Sequence, residues 1–269
     1  MTAGESSGGE ALTVEQAIAN LQQREDLGLR YYAAWWLGKF RVRDRRAIDA
    51  LIEALTDEAD RSPDGGYPLR RNAARALGKL NEPRAVLPLI DCLNCSDYYV
   101  REAAAQALET LGDHRCIPAL TTLLSGGVAA AQPVPGKPHL VQPTEAVLEA
   151  LGTLAATEAI SLIEPFLAHP VPKVQYAAAR AMYQLTGDSR YGERLVRALY
   201  ADKLPLRRSA LMDLGAIGYT PGAAAIAKAP TESSLKLIAL RGLLTHQLAQ
   251  NQELSKQSIQ VMTLMDQLL

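Results

Sequence analysis

The N-terminal part of the chain carries a cluster of aromatic residues in an otherwise aromatic-poor sequence. Tyr31, Tyr32, Trp35 and Trp36 lie within six residues of one another, although Phe, Trp and Tyr make up only 5 % of the chain. Tyr31 and Trp35 are four residues apart and therefore share one face of a helix. Exposed rings on a helix suit a flat conjugated ligand or a partner surface. The alternative is a capping repeat that closes the end of a helical array.

A second cluster, rich in charge, follows in the sequence. It comprises Asp60, Arg61, Asp64, Tyr67, Arg70 and Arg71. Guanidinium groups bind carboxylates through paired hydrogen bonds, and carboxylates accept hydrogen bonds from N–H groups. The cluster therefore predicts a site for a ligand that carries both kinds of group. The alternative is an ordinary polar turn.

Both clusters belong to a repeat that runs along the chain. It reads LRYYAAWWLG from Leu29, LRRNAARALG from Leu69 and VREAAAQALE from Val100, and further copies begin at positions 143, 174, 206 and 235. The spacings are 40, 31, 43, 31, 32 and 29 residues, and apolar-periodic segments between the copies supply a first helix to each unit. Such a period marks stacked supersecondary units. The sequence therefore predicts an all-α solenoid of about seven short helical-hairpin repeats, which resembles a HEAT-type array.

Two of the steps are longer than the base period of 31 residues, by 9 and by 12. Both excesses fall between the first and the second helix of a unit, at residues 58–68 and 126–143, so both loops are expected on the same edge of the array. Long loops inside a compact array are usually functional or disordered. The first loop carries the charged cluster.

The second helix of each unit follows a fixed pattern. Its second position is usually Arg (Arg30, Arg70, Arg101, Arg207), which predicts a structural ladder of arginines paired with acidic residues of neighbouring units. Its third and seventh positions lie on one helical face and are mostly polar, so they are expected to face water. In HEAT-type arrays this helix lines the concave side. The aromatic cluster occupies these positions in the first copy.

Other chemistries lack their residues in this sequence. Cys92 and Cys95 form one C-x-x-C without a second pair, so we expect them to pack at a helix end rather than to bind zinc. The chain has no His-Glu dipeptide of the kind that binds iron in HEAT-type hydroxylases, no phosphate-binding loop and no nucleophile elbow. We predict no metal and no bound cofactor.

Composition narrows the class of partner. The net charge is −1, from 28 basic and 29 acidic residues, which argues against nucleic acid or an anionic membrane as a partner. No apolar run approaches the roughly 20 residues of a membrane span. Three cysteines form no even framework and fit a reducing compartment.

The chain ends are expected to lie outside the repeats. Residues 1–12 are predicted to be a disordered tail without a secretion signal, which favours a cytoplasmic protein. The array is predicted over residues 13–246. Residues 247–269 are predicted to form an amphipathic helix, with Ile259, Met262, Met265 and Leu268 on its apolar face, that caps the last repeat or docks on a partner.

Several strings are more specific than the repeat core. They are LRYYAAWWLGKF at 29–40, DEADRSPDGGYPLRRNAARALGKL at 57–80, GKPHLVQP at 136–143, VQYAAARAMYQLTGD at 174–188 and SLKLIALRGLL at 234–244. With them the chain resembles, over roughly residues 12–248, the E-type subunit of the E/F phycocyanobilin lyase family of cyanobacteria. The resemblance implies a heterodimer with an F-type subunit that attaches phycocyanobilin, its substrate, through a thioether to a cysteine of the phycocyanin α subunit. It also implies reversible transfer in the cytoplasm.

The two clusters can be given roles in that reaction. We expect the aromatic cluster to stack on the bilin rings, with Tyr67 beside it, and Arg61, Arg70 and Arg71 to hold the propionates. Asp64 or Asp60 would accept the pyrrole N–H groups, keep the bilin protonated and so raise the electrophilicity of the ethylidene carbon. His139, Tyr98 and Tyr99 are further candidates.

Two other functions stay open at this point. A HEAT-type array also serves as a non-catalytic adaptor that binds phycobiliproteins during assembly or degradation. The string YYAAWW is also shared with the E-type subunit of the phycoerythrocyanin lyase-isomerase. The adaptor and the lyase differ in whether a covalent adduct forms faster than it does spontaneously.

Overall fold

The computed structural model describes residues 12–250 and 254–269. The described residues form α-helices and short 3₁₀ turns, with one isolated β-bridge between Pro133 and Leu140 and no β-strand. The predicted all-α class is confirmed. Contacts divide the chain into two compact units, unit 1 up to Asp113 and unit 2 from His114 onward. The predicted disordered tail at residues 1–12 lies almost wholly outside the described residues.

Unit 1 contains three helical hairpins. Its helices are α1 (Val14–Gln22), α2 (Leu27–Lys39), α3 (Arg45–Ala54), α4 (Pro68–Leu80), α5 (Val86–Cys92) and α6 (Tyr98–Leu111). The second helix of each hairpin packs on the next second helix, α2 on α4 and α4 on α6. The repeat copies that begin at Leu29, Leu69 and Val100 therefore correspond to α2, α4 and α6.

Unit 2 continues the same alternation. Its helices are α7 (Ile117–Leu124), α8 (Gly127–Ala130), α9 (Thr144–Thr153), α10 (Ile160–Ile163), α11 (Pro172–Thr186), α12 (Ser189–Ala198), α13 (Leu204–Ile217), α14 (Ala223–Lys228), α15 (Ser233–Gln250) and α16 (Lys256–Asp266). Here the second helices are α9, α11, α13 and α15, and each packs on the next. None of the described helices is both long enough and apolar enough to cross a membrane.

Local sequence explains where several helices begin and end. Thr13 and Gln16 form a reciprocal capping box at the start of α1. Asp44 and Asp97 accept a hydrogen bond from a backbone N–H in the first turn of α3 and α6. Gly112 ends α6 with φ +68°, a conformation that other L-residues rarely adopt. No repeat copy predicts α1, but the capping box in its sequence indicates where this helix begins.

Glycine near the end of a second helix sets the distance to the next. A Cβ added to Gly38 would lie 2.7 Å from Cα of Ala76, and one added to Gly78 would lie 2.9 Å from Cα of Ala107. In unit 2, Gly152 approaches Ala181 in the same way. In every case the tenth position of one repeat copy meets the eighth position of the next. This constant register fixes which side chains of neighbouring second helices lie level with one another.

Both long loops contain internal hydrogen bonds or short regular elements. The first loop is held by hydrogen bonds within itself, including Gly65 N–H to the carbonyl of Ser62 at 2.9 Å. The second contains the short helix α8 and the bridge from Pro133 to Leu140, neither of which the sequence predicts. Leu140 is buried and anchors this loop in unit 2.

The C-terminal segment packs on the last hairpin. Helix α15 runs past the predicted boundary at residue 246, and α16 contacts both α15 and α14. Val261 is fully buried in the core of unit 2, beside Leu240 and Leu243. Half of the predicted apolar face is confirmed, because Met265 and Leu268 pack against this core. The other half is wrong, because Ile259 and Met262 are exposed while Ser258 and Val261 are buried.

Candidate functional site

Helix α2 displays an aromatic face to solvent. Asp26 caps the helix by accepting the N–H of Leu29 at 3.0 Å, and Ala33, Ala34 and Leu37 bury its inner side. The opposite side carries the rings. Tyr31, Tyr32 and Trp35 are 36, 46 and 41 % exposed, and the rings of Tyr32 and Trp35 lie 5.4 Å apart. The predicted exposure of Trp35 is confirmed.

Trp36 differs from its neighbours in the cluster. Its ring is only partly exposed and lies 4.9 Å from the ring of Phe40, which is itself 59 % exposed. Helix α1 packs beside α2, so α2 is not the first helix of unit 1. An aromatic plug for the array end would lie beneath a covering element, whereas the rings of Tyr32 and Trp35 remain open to solvent.

Helix α4 places cations beside this aromatic face. We call the third and seventh positions of the second helices the B-face; in unit 1 these are Tyr31 and Trp35, Arg71 and Arg75, and Glu102 and Gln106. The register of α2 on α4 sets Trp35 level with the turn between Arg71 and Arg75. Asn72 fixes this arrangement by donating a hydrogen bond of 3.2 Å to the backbone carbonyl of Tyr31.

The side chain of Arg71 has no hydrogen-bond partner among the described residues. Its guanidinium lies 5.8 Å from the ring centroid of Tyr99, and its Nε is buried without an acceptor. An unpaired buried donor costs about 1–3 kcal/mol. A half-buried guanidinium that meets only a ring is thus ready to bind an anion.

The start of α6 supplies phenols and one carboxylate. Tyr98 and Tyr99 are half-buried and meet edge to face at 5.3 Å. The hydroxyl of Tyr98 donates to Glu102 at 3.4 Å, so this carboxylate bonds to a phenol rather than to Arg71 or Arg75. Sequence reasoning missed Glu102 and Arg75 as site residues. The repeat alignment signals both, because they continue the row that begins with Tyr31 and Trp35.

The first long loop uses several predicted ligand-binding residues for its own structure. Asp60 is buried and accepts the N–H of Leu69 at 2.9 Å, at the start of α4. Burial raises the pKa of Asp60 above its usual value, and this hydrogen bond opposes the rise. The carboxylate that was expected to meet the bilin therefore caps a helix instead.

Tyr67 and Arg70 belong to the same internal network. The ring of Tyr67 lies between the guanidinium groups of Arg61 and Arg70, at 4.1 and 4.0 Å, and only 7 % of this residue is exposed. Arg70 also donates to the carbonyl of Asp57 at 2.6 Å and pairs with Glu58. These contacts hold Tyr67 and Arg70 within the loop, and their role toward a ligand stays a prediction.

Arg61 and Asp64 remain at the rim of the loop. Both are exposed, and Asp64 accepts a hydrogen bond from the hydroxyl of Ser62 at 2.6 Å. The structure therefore separates the charged cluster into an interior part, Asp60, Tyr67 and Arg70, and an outer part.

The predicted ladder of second-position arginines is confirmed at Arg30, which pairs with an acidic residue of a neighbouring unit. Arg30 is buried, and its Nη2 lies 2.7 Å from Oδ2 of Asp57. Arg101 and Arg207 instead donate to backbone carbonyls of the turn before their own helix, at 2.6 and 3.0 Å. These side chains fix turns against helices.

His139 lies in unit 2, within the second long loop. It is half-buried, and its Nδ1 lies 2.8 Å from the carbonyl of Leu140. A second histidine, His169, is fully buried and joins this loop to the turn before α11, through the carbonyl of Ala131 at 2.8 Å. His169 is structural, and the role of His139 stays a prediction.

The cysteines are free thiols with different exposure. Cys92 and Cys116 are buried, whereas Cys95 is partly exposed. Burial raises the pKa of Cys92 to about 12, so its thiolate is absent at neutral pH. The described residues contain no group of three or more His, Cys, Asp or Glu arranged to hold a metal ion.

Similarity to known proteins connects this geometry with a family. The PBS lyase HEAT-like repeat matches residues 29–57, and HEAT repeats match residues 59–130. The chain is 63 % identical to the phycocyanobilin lyase subunit alpha of Picosynechococcus sp. (strain ATCC 27264 / PCC 7002 / PR-6), over 97 % of each chain. The chain belongs to the phycocyanobilin lyase alpha-subunit family. The resemblance read from its sequence strings is thereby confirmed.

Two further comparisons place the chain within this family. The lyase subunit alpha of Nostoc sp. (strain PCC 7120 / SAG 25.82 / UTEX 2576) is 64 % identical over 97 % of this chain and 95 % of its own length. The bilin biosynthesis protein PecE of the same strain is 46 % identical over 89 % of each chain. The chain thus resembles the lyase subunit alpha more than PecE.

A solved structure agrees with the fold. The complex of CpcE and CpcF of phycocyanin lyase from Nostoc sp. PCC7120 contains a chain that matches with a TM-score of 0.92 and 63 % identity, over the full length of both chains. The described residues of this chain therefore share the HEAT-like helical-hairpin architecture of the phycocyanobilin lyase alpha-subunit family.

Proposed function

We propose that this chain is the E-type subunit of a bilin lyase which, with an F-type partner, attaches phycocyanobilin to a cysteine of the phycocyanin α subunit. Family membership and one structural observation support the proposal. The observation is the exposed aromatic face of α2 beside Arg71, a guanidinium without a hydrogen bond. The proposal includes the cytoplasmic site of action that the family resemblance implies.

The reaction needs positioning more than it needs a nucleophile on this chain. The thiol of the acceptor adds across the exocyclic double bond of ring A. Its sulfur bonds to the ethylidene carbon, a proton goes to the ring carbon of the former double bond, and no oxidant is required. Elimination reverses the same steps. Cys92, with its raised pKa, is unsuited to compete with the acceptor thiol.

The B-face of unit 1 can hold a bilin in a defined orientation. A tetrapyrrole is flat, conjugated and carries two propionates, so it matches rings on one helix and guanidinium groups on the next. Tyr31, Tyr32 and Trp35 would wall its ring faces, and Arg71 would bind a carboxylate. Holding the bilin against the acceptor thiol makes the addition effectively intramolecular, a large rate effect.

Proton management falls to carboxylates at the edges of this surface. Glu102 is half-buried on the B-face and bonds only to the Tyr98 hydroxyl among described residues, so it can also accept pyrrole N–H groups. Asp64, exposed at the loop rim, is the second candidate. A carboxylate beside the pyrrole nitrogens favours the protonated bilin, which is the better electrophile.

The proposal is tested by reconstitution with the F-type subunit, phycocyanobilin and the apo phycocyanin α subunit. The wild-type pair is expected to form a covalent, fluorescent adduct faster than spontaneous addition. Trp35→Ala is expected to slow attachment about 10-fold, the usual size of a lost aromatic contact. Tyr200→Ala removes a ring that is 56 % exposed in unit 2 and serves as the matched control.

The outcomes separate the lyase from its alternatives. If the wild-type pair accelerates nothing yet binds phycocyanin, the adaptor function replaces the proposal. An adduct with altered bilin absorption would instead point to a lyase-isomerase. Circular dichroism of each variant verifies that its helices are retained.

A further inference from the structure

Unit 1 contains a cavity of about 660 Å³ whose charged side chains are all basic. Arg41, Arg75 and Lys79 line it, together with the polar side chains of Gln106 and Thr110, and no Asp or Glu contributes to the lining. The volume lies in the range of small-molecule sites, about 300–1,000 Å³. Its charge and size call for an anionic ligand.

These cations are not neutralised by the protein. The side chains of Arg75 and Lys79 make no ion pair or hydrogen bond with any described residue, and Arg41 Nη1 donates only to the backbone carbonyl of Lys79, at 3.2 Å. The carboxyl end of α4 carries a partial negative charge of about one half, which one cation offsets. Two further positive charges therefore remain available.

The cavity adjoins the B-face of unit 1 on helix α4. Arg75 belongs to both, since it lies four residues after Arg71 on α4 and also lines the cavity. The close approach of Gly38 to Ala76 and of Gly78 to Ala107 holds the three second helices in one register. A ligand on the aromatic face of α2 therefore has this basic cavity at its edge.

We propose that Arg75 and Lys79, with Arg41, bind one propionate group of the bilin in this cavity, next to the propionate that the proposed function gives to Arg71. The inference rests on the proposed lyase function and assigns the second carboxylate of its substrate. Planar guanidinium forks and an ammonium group suit a carboxylate on a flexible chain. Arg70, which the sequence also suggests for this task, lies against the ring of Tyr67 and pairs with Glu58.

The test compares phycocyanobilin with its dimethyl ester, in which both propionates lose their charge. Binding to the full chain with its F-type partner is followed by absorption titration. The wild type is expected to bind the free acid about 10-fold more tightly than the ester. The double variant Arg75→Gln/Lys79→Gln is expected to lose about 10-fold for the acid and nothing for the ester.

A matched control removes two other cations from the last turn of helices. Arg197→Gln/Lys228→Gln changes the net charge equally in unit 2, and both residues are exposed. This control is expected to bind the acid as the wild type does. An equal decrease in both double variants would reduce the effect to general electrostatics and overturn the inference.

Failure of this inference and failure of the proposed function give different results. If the wild type attaches the bilin but binds acid and ester equally, the cavity assignment falls and the lyase stands. If the wild type attaches no bilin and binds neither form, the proposed function falls with it. The comparison of acid and ester in the wild type needs no variant, so it holds whatever the substitutions do to folding.

Discussion

The B-faces of the two units follow one repeat pattern, but they differ in whether their arginines form ion pairs. In unit 2, Arg180 Nη1 lies 3.0 Å from Glu149 and 3.7 Å from Asp213, carboxylates on the second helices before and after its own. In unit 1, Arg75 occupies the position on α4 that is equivalent to Arg180, and neither Arg75 nor Arg71 makes an ion pair among the described residues.

The difference shows which part of the array is available to a ligand. A guanidinium held by two carboxylates contributes to the folded structure and has little left to offer an anion. An unpaired guanidinium beside exposed rings costs stability and persists where a ligand supplies the missing charge. Repetition thus supplies the scaffold, and we propose that the unit with unpaired B-face arginines supplies the site.

The largest expected effect concerns the closed network of unit 2. Arg180→Gln leaves Glu149 and Asp213 without their cation, and the side chain of Asp213 is only 5 % exposed. The free energy of unfolding is expected to fall by about 3 kcal/mol, as when one partner of a buried pair is removed. Urea unfolding followed by circular dichroism measures it.

The matched control for this prediction is Arg208→Gln. Arg208 pairs with Glu232, but both side chains are more than 40 % exposed, so the loss is expected below about 1 kcal/mol. Equal losses in the two variants would remove the distinction between a buried network and a surface pair.

Unit 1 also has a closed pair, away from its B-face, and this pair gives a pH dependence. Burial raises the pKa of Asp57, but hydrogen bonds from Arg30 and from the N–H of Asp60 outweigh it, and the pKa lies below the usual value. A carboxyl with a lowered folded-state pKa stabilises the protein above its unfolded pKa, about 3.9, and this stability is lost as pH falls through the folded value.

Asp57→Asn is therefore expected to cost about 3 kcal/mol at pH 7 and much less in acid. Urea unfolding at pH 7 and pH 3 measures the difference from the wild type. Asp91→Asn, at an exposed position on α5, is the control and should change little at either pH. A cost for Asp57→Asn that is the same at both pH values would contradict the charged pair.

Arg71→Gln tests an arginine of unit 1 that forms no ion pair with any described residue. Because Arg71 has no hydrogen bond to lose, stability should stay within about 0.5 kcal/mol. The rate of bilin attachment is expected to fall about 10- to 100-fold, the value of one or two charge-assisted hydrogen bonds. Steady-state attachment kinetics measure it, with Arg208→Gln as control. If Arg71→Gln lowers the free energy of unfolding but leaves the attachment rate unchanged, Arg71 has a structural role and does not bind the bilin.

The smallest expected effect comes from adding a carboxylate near the unpaired arginines of unit 1. Gln106→Glu adds a carboxylate on α6 to the lining of the cavity that Arg75 also lines. The KM for phycocyanobilin is expected to rise about 3-fold with kcat unchanged, because one cation is partly neutralised. Gln260→Glu, exposed on α16, is the control. An unchanged KM would place the bilin away from Arg75.

The sequence predicted the helical array well and the side-chain partners poorly. Periodicity and small residues in the second helices determine how these helices stack, so the copies at Leu29, Leu69 and Val100 became α2, α4 and α6. The exposure of Trp35 also followed, since its position in the pattern is polar elsewhere. Each of these inferences depends on spacing along one helix.

Contacts across loops escaped the sequence because spacing does not encode them. Asp60 caps α4 and Tyr67 lies between two arginines only because the first long loop folds back on itself. The face of α16 was predicted only in part for a similar reason: its own pattern favours Ile259 and Met262, but Ser258 and Val261 are the buried residues there. Glu102 and Arg75 were visible in the alignment once rows across neighbouring copies were compared.

Gly38 determines how closely α2 approaches α4, although it is not one of the proposed ligand-binding residues. Without a side chain there, α2 approaches the backbone of α4 so closely that an added Cβ would lie 2.7 Å from Cα of Ala76. A single methyl group at position 38 would have to push the two helices apart. In the proposed site, the spacing between the rings of α2 and the arginines of α4 would then change although every proposed binding side chain was still present.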